Sequence, residues 1–305
     1  MNHYLGVFGH TALDVILQVP KMPKIDSSIA VEDRIVRIGG TGANIARAAS
    51  EMGVNVSLAS FVGDDFPVEY MDALKKSGVN VEDVKKMKGF KTPTCWIVND
   101  PEGNQTAFVD QGAMAHAADF ELQMNTIEES EILHIGTGRP DYYRKVYDRL
   151  ETEEKLVVFD PAQELEYVYD PSTFENFLKM SDYFFCNERE AGFALEYLEK
   201  DSPHDLLEYV DLVLITKGDE GSVLYLPGGE TEIPAYEPDE IKEPTGAGDS
   251  FRAGFYAALY RDFPLKECFK VASARASFCV ETSGPQDDLV SWEEVLDRYE
   301  SQKPT

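Results

Sequence analysis

The chain has 305 residues, 43% of them apolar and 11% aromatic, which is enough for one large α/β domain with a substantial core. Its 56 acidic against 28 basic residues give a net charge of −28, which repels nucleic acid and anionic membranes and obliges any nucleotide site to be built locally. The acidity is spread along the chain and suits a surface working in salt, and no apolar run reaches membrane-spanning length.

Met1 to Leu5 lacks a basic segment followed by an apolar one, so a cytoplasmic protein without a signal peptide is expected. A first strand segment runs from Val7 to Val19, and Asp14 is an acidic residue in this otherwise apolar run. A carboxylate there can accept hydrogen bonds from two vicinal sugar hydroxyls, or simply mark a turn where the strand leaves its sheet. Ser28 to Ile38 predicts a strand with partial alternation that carries Arg37. Gly39-Gly40-Thr41-Gly42-Ala43-Asn44 then opens a helix through Ala46, Ala49 and Met52. The glycine spacing is not GxGxxG, which argues against a dinucleotide-dependent dehydrogenase. Paired glycines let backbone lie close to a flat ligand, and Asn44 offers both a donor and an acceptor.

Thr94 to Val109 predicts a hairpin around Asp100-Pro101-Glu102-Gly103-Asn104. Strands at about residues 15–38 and 92–112, inserted in a single domain over residues 1–305, are expected to form a β-lid that excludes water from a transfer reaction. An edge hairpin is the plainer alternative. From residue 131 onward, apolar runs at 132–135, 156–159, 183–186 and 212–215 alternate with helical segments around 141–150, 172–180, 189–199 and 203–210. Continuous apolarity in the runs predicts a parallel sheet covered on both faces, with ligands gathered at the carboxyl ends of the strands. Cys95, Cys186, Cys268 and Cys279 have neither metal-ligand nor CxxC spacing and read as reduced thiols.

Polar residues follow each run. Arg139 comes after Gly138, and it and Arg37 offer guanidinium forks that suit phosphate oxygens or, equally, neighbouring surface carboxylates. Asn187 and Glu190 stand three apart, the spacing of a helix cap and also of a pair that orders Mg²⁺ and its waters. Thr216, Gly218 and Gly221 form a turn able to touch a nucleotide or merely to join two strands. Near the C-terminal end, Thr245-Gly246-Ala247-Gly248-Asp249 runs into a helix with Phe251, Phe255, Ala258 and Leu259 on one side. The helix start is an anion nest, and Asp249 inside it is out of place unless it removes a proton from an attacking hydroxyl, or caps the helix.

Taken in order, Gly39-Gly40 with Asn44, Asn187 with Glu190, Thr216 with Gly218, and Thr245 to Asp249 resemble the ribokinase-like, PfkB-type carbohydrate and nucleoside kinases over the whole length. The resemblance is strongest to archaeal nucleoside kinases, through Gly9 to Asp14, His134 to Gly138, Phe159 to Gln163 and Pro244 to Ser250. It implies a three-layer α/β/α sandwich with a mostly parallel sheet and a small β-lid that can also form a homodimer surface. It implies ATP as donor, Mg²⁺ managed by Asn187 and Glu190, and Asp249 as base beside an anion hole at Gly246, Ala247 and Gly248. Asp14, Gly39, Gly40 and Asn44 would hold sugar hydroxyls, while Thr216, Gly218, Gly221 and Thr245 would serve the nucleotide. Glu243-Pro244 stands where many relatives have Asp-Thr, so a potassium requirement is not carried over. The expected reaction is phosphorylation of the 5-hydroxyl of a ribosyl substrate, a ribonucleoside first. Arg37 and Arg139 keep ribose 1-phosphate or a hexose phosphate open as acceptor, and a non-catalytic binding regulator is the alternative of another class.

Overall fold

Apolar runs bounded by polar turns become strands buried on both faces, and amphipathic segments between them become the crossover helices. The computed structural model describes residues 3–150, 154–242, 245–282 and 290–302. Its first half contains β1 (His3–Phe8), β2 (Ala12–Gln18), β3 (Asp33–Gly39), α1 (Thr41–Glu51), β4 (Val56–Gly63), α2 (Val68–Lys76), β5 (Val84–Met87), β6 (Thr94–Asn99) and β7 (Gln105–Asp110). Then come α3 (Met124–Glu129), β8 (Ser130–Ile135), α4 (Pro140–Leu150), β9 (Leu156–Phe159), α5 (Pro171–Lys179), β10 (Tyr183–Asn187), α6 (Glu188–Leu198) and β11 (Leu212–Thr216). The remainder is β12 (Ser222–Leu226), β13 (Gly229–Ile233), α7 (Ala247–Leu259), α8 (Leu265–Cys279) and α9 (Trp292–Ser301).

The central sheet has nine strands in the order β13-β12-β11-β10-β9-β8-β1-β4-β5. All neighbours from β11 to β5 are parallel, and β12 and β13 close one edge antiparallel. Successive residues feed opposite cores. In β11, Leu212 and Leu214 belong to the core that also takes side chains from α1, α7, α8 and α9, while Val213 and Ile215 belong to the one that takes them from α4, α5 and α6. These two cores make the three-layer α/β/α sandwich.

A separate four-stranded sheet has the order β3-β2-β6-β7 and covers the carboxyl side of β1. The segment Val7–Val19 is therefore not one strand. It ends as β1 at Phe8, turns at residues 9–11, and restarts as β2 in the small sheet, which carries Asp14 with it. The strand expected from Ser28 begins only at Asp33, and the helix expected near 203–210 is a short 3₁₀ turn, Pro203–Glu208. The β6–β7 hairpin is held at its turn by Asp100 Oδ1, which accepts from the N–H groups of Glu102 and Asn104, both at 3.0 Å.

Candidate active site

The helix α7 is preceded by its N-cap Gly246, whose φ of 83° is a left-handed conformation that a side chain would strain. Asp249 is the third residue of that helix. Its Oδ2 accepts a 2.8 Å hydrogen bond from Asn44 Nδ2 on α1, so the two glycine turns meet although 205 residues separate them. Burial, partly offset by the Asn44 hydrogen bond, pushes the Asp249 carboxyl up from 3.8 to about 7. The side chain is enclosed by protein mass yet faces an open cavity, so water reaching it tempers that rise.

Beneath Asp249 lies a buried charge network. Arg252, one turn further along α7, donates from Nε to Asp160 Oδ2 at 2.7 Å and from Nη1 to the Gly248 carbonyl at 3.3 Å. Arg252 is 6% exposed and Asp160 4%. Burial opposes the guanidinium charge, and the Asp160 ion pair more than restores it. His134 Nε2 stands 3.9 Å from Asp160, and its Nδ1 meets the Tyr256 hydroxyl at 2.8 Å. Burial drives the His134 imidazole down to about 4, so it is neutral at ordinary pH.

Two cavities meet at the start of α7. One, of about 560 Å³, lies under the lid and is lined by Asp14, Gly40, Asn44, Asn187, Glu190 and residues 245–249. The other, of about 770 Å³, is lined by Gly221, Tyr236, Phe251, Ala276 and Val280. Thr216, Gly218, Ala247 and Gly248 belong to both. The N–H groups of the first helical turn, which have no acceptor within the helix, thus stand between the two spaces.

Three expected contacts are not there. Gly39 lies outside both cavities; a Cβ on it would overlap the Asp14 carboxylate, so its smallness makes room for Asp14 rather than for a ligand. Gly40, by contrast, does line the lid-side cavity, and its φ of 88° and the adjacent His10 carbonyl leave no room for a side chain there. Arg139 is turned at the start of α4 toward Asp141, 3.4 Å from its Nε, and lines neither cavity. Arg37 lies in edge strand β3, directly across from Asp14, and also lines neither.

Asn187 and Glu190 form a full capping box. Asn187 Oδ1 accepts from Glu190 N–H, and Glu190 accepts from Asn187 N–H at 2.8 Å and from Asn187 Nδ2 at 2.9 Å. Burial and the nearby Asp160 raise the Glu190 carboxyl. Among the described residues no group of three acidic, His or Cys side chains is arranged to hold a metal ion. A carboxylate with both oxygens already bonded, at the edge of a phosphate-sized space, fits Mg²⁺ held through its waters and not by direct ligation. Glu243 and Pro244 lie outside the described residues.

Sequence reasoning missed Arg252, Asp160, Glu164 and Tyr167. A signal existed for two of them: Arg252 stands in the apolar part of α7 three residues after Asp249, and Asp160 directly follows a buried strand.

A mostly parallel sheet, a carboxylate at the glycine-rich start of α7, and a small β-sheet over the cavity beside it are the features of a ribokinase-fold phosphotransferase with a hydroxyl acceptor. The chain belongs to the pfkB family of carbohydrate kinases, which it matches over residues 2–292. It is similar to the nucleoside kinase of Methanocaldococcus jannaschii, with 36% identity over 297 residues, 97% of this chain and 96% of that protein. The nucleoside kinase of Methanothermobacter thermautotrophicus is 34% identical over 296 residues, 96% and 94% of the two chains. The crystal structure of the M. jannaschii nucleoside kinase superposes with a TM-score of 0.90 at 34% identity, covering 99% of both chains. The protein is accordingly a kinase of ribose-type substrates in a family that uses ATP.

Proposed function

We propose that the protein is an ATP-dependent nucleoside kinase that transfers the γ-phosphoryl group to the 5′-hydroxyl of a ribonucleoside. One observation carries the choice of acceptor. Among the described residues lining the acceptor cavity, the only guanidinium or ammonium group is that of Arg252, which is committed to Asp160, whereas Asp14, Glu164, Glu190 and Asp249 are all acidic. A phosphorylated sugar would bring its second phosphate into a space whose one lining cation, among the described residues, is already paired. The lid face, by contrast, offers Cys95, Ile97 and Val109, and the opposite wall offers Tyr167, an apolar surround suited to a flat base.

In this reading Asp14, Gly40 and Asn44 hold the sugar, and Asn44 also orients Asp249. Asp249, with its carboxyl near 7, accepts the 5′-hydroxyl proton as that oxygen attacks the γ-phosphorus in line. The amides at Gly246, Ala247 and Gly248 stabilise the charge on the equatorial oxygens. Arg252 fixes the Gly248 peptide through its carbonyl. Thr216, Gly218, Gly221 and Thr245 border the donor nucleotide, whose phosphate charge Mg²⁺ would neutralise. Asn187 and Glu190 would hold the waters of that ion.

We also infer a homodimer through the lid. Val36, Val15, Trp96 and Phe108 lie side by side across its four strands, on the face opposite Asp14 and Cys95. Phe108 is 60% exposed and Trp96 38%.

Steady-state kinetics on inosine, guanosine, cytidine, adenosine, ribose 1-phosphate and fructose 6-phosphate test the acceptor. Ribonucleosides should be turned over with the highest kcat/KM, and Arg139→Ala should leave those values unchanged. Preferred turnover of ribose 1-phosphate, lost in Arg139→Ala, would overturn the proposal.

A further inference from the structure

The acceptor cavity is bordered by a hydrogen-bond chain that the reaction above does not use. Glu164 is 2% exposed, on the turn Ala162–Leu165 after β9. Its Oε2 accepts from Gly138 N–H at 2.5 Å and its Oε1 from Gln111 Nε2 at 2.6 Å. Gln111 Oε1 lies 2.5 Å from His10 Nε2, His10 Nδ1 lies 2.8 Å from Thr137 Oγ1, and Thr137 Oγ1 lies 2.7 Å from Thr41 Oγ1. His10, Thr41 and Gln111 sit at three passages between the body and the lid: before β2, after β3 and after β7. Thr41, His10, Thr137 and Glu164 all line the cavity.

The donors and acceptors can be followed from one end. A carboxylate only accepts, so Gln111 gives it the NH₂ group and turns its carbonyl to His10. His10 must then carry its proton on Nε2, which leaves Nδ1 as an acceptor. Thr137 spends its single hydroxyl hydrogen on Nδ1, and its oxygen accepts from His10 N–H at 3.3 Å and from Thr41. Thr41 has therefore used its own hydrogen and shows only lone pairs to the cavity.

We infer that Glu164 polarises this chain and so makes Thr41 an obligate hydrogen-bond acceptor for a hydroxyl of the bound substrate. Thr41 is a specificity-determining contact, and Glu164 is its positioning residue. The hydroxyl contact rests on the ribosyl-acceptor reading above; the direction of the chain does not.

The isosteric substitution Glu164→Gln reverses the direction. Its one carbonyl oxygen is claimed by Gly138 N–H, which cannot turn, and its NH₂ faces Gln111. Gln111 then flips, His10 moves its proton to Nδ1, and Thr137 donates to Thr41, whose hydrogen swings into the cavity. A donor there faces the substrate hydroxyl in place of an acceptor.

The test is ¹⁵N NMR of the full chain labelled at histidine, at about pH 8, above the ordinary histidine range. The His10 signals are identified by their loss in His10→Asn. The wild type should show His10 as the Nε2–H tautomer and Glu164→Gln as the Nδ1–H tautomer. KM for a ribonucleoside should rise about tenfold or more in Glu164→Gln, with a smaller change in kcat. Thr41→Val should raise KM similarly with the His10 tautomer unchanged, and Thr41→Ser should recover most of the loss. Should Glu164→Gln fold poorly, Gln111→Met severs the same chain and should leave His10 as a mixture of tautomers. A doubly protonated or Nδ1–H His10 in the wild type overturns the polarity. So does a tautomer unmoved by both Glu164→Gln and Gln111→Met. A tautomer that switches while KM stays constant, there and in Thr41→Val, overturns the role of Thr41. If the ribosyl reading itself fails, no ribonucleoside is turned over by the wild type, yet the tautomer result still stands or falls alone.

Discussion

Replacing Asp249 by Asn should make the protein more stable as it disables it, and the gain should depend on pH in a defined direction. The carboxyl rises from 3.8 to about 7 on folding, so the folded state holds a proton that the unfolded chain has released. Stability from this group is fully present below about pH 4 and is lost as pH rises through about 7. A shift of three units would correspond to about 4 kcal/mol. Asp249 faces an open cavity, where solvent screens part of the penalty, so about 1–2 kcal/mol is expected. Asparagine keeps a carbonyl for the Asn44 amide and adds no bulk, so the substitution reports the charge alone. Urea unfolding of both proteins should give nearly equal stabilities at about pH 4, with Asp249→Asn ahead above about pH 7, the gap opening between those limits. In the same samples turnover should fall by at least about 10²-fold, the lower range for a positioned acid–base group. A pH-independent gap, or a less stable variant at alkaline pH, would refute the reasoning about burial. Near-normal turnover would refute the assignment of the base.

Arg252→Met keeps the length of the stem but leaves Asp160 buried without its ion-pair partner, and should cost about 3–5 kcal/mol in urea unfolding. Arg252→Met combined with Asp160→Leu should recover much of that loss, and no recovery would show that Arg252 matters through something other than this pair. On the lid, Phe108→Asp puts a charge on the most exposed member of the apolar row and should turn a dimer into a monomer by sedimentation velocity. A wild type that is already monomeric at high concentration would remove the dimer proposal.

How much of this was legible beforehand differs from residue to residue. The strand–helix alternation after residue 131 was plain because strands buried on both faces must be apolar throughout, and helices covering them must be amphipathic. The break inside Val7–Val19 was not, since Val7 and Val15 are equally apolar although one faces the main core and the other the lid surface. Asp14 consequently reached the acceptor cavity from a different sheet than its sequence neighbours suggested. Arg139 shows a choice that residue order left open: a strand-end arginine suited a phosphate or a neighbouring carboxylate equally, and in the structure it stands beside Asp141.

The sequence by itself determined the reaction class, because the four motifs occur together in the order and spacing of a known kinase family, whereas the carboxylate at the helix start alone could equally have been a cap. It also determined the layers, because hydrophobic period is a local property. Only the tertiary structure decided which side chains share charge and protons. Asn44 with Asp249, Arg252 with Asp160, and Glu164 with Gln111 and His10 are pairs brought together by the crossing of α1, α7 and the lid over the sheet. Such pairs are set by distance and burial, to which residue order is blind, and they govern both the basicity of Asp249 and the hydrogen-bond face shown to the substrate.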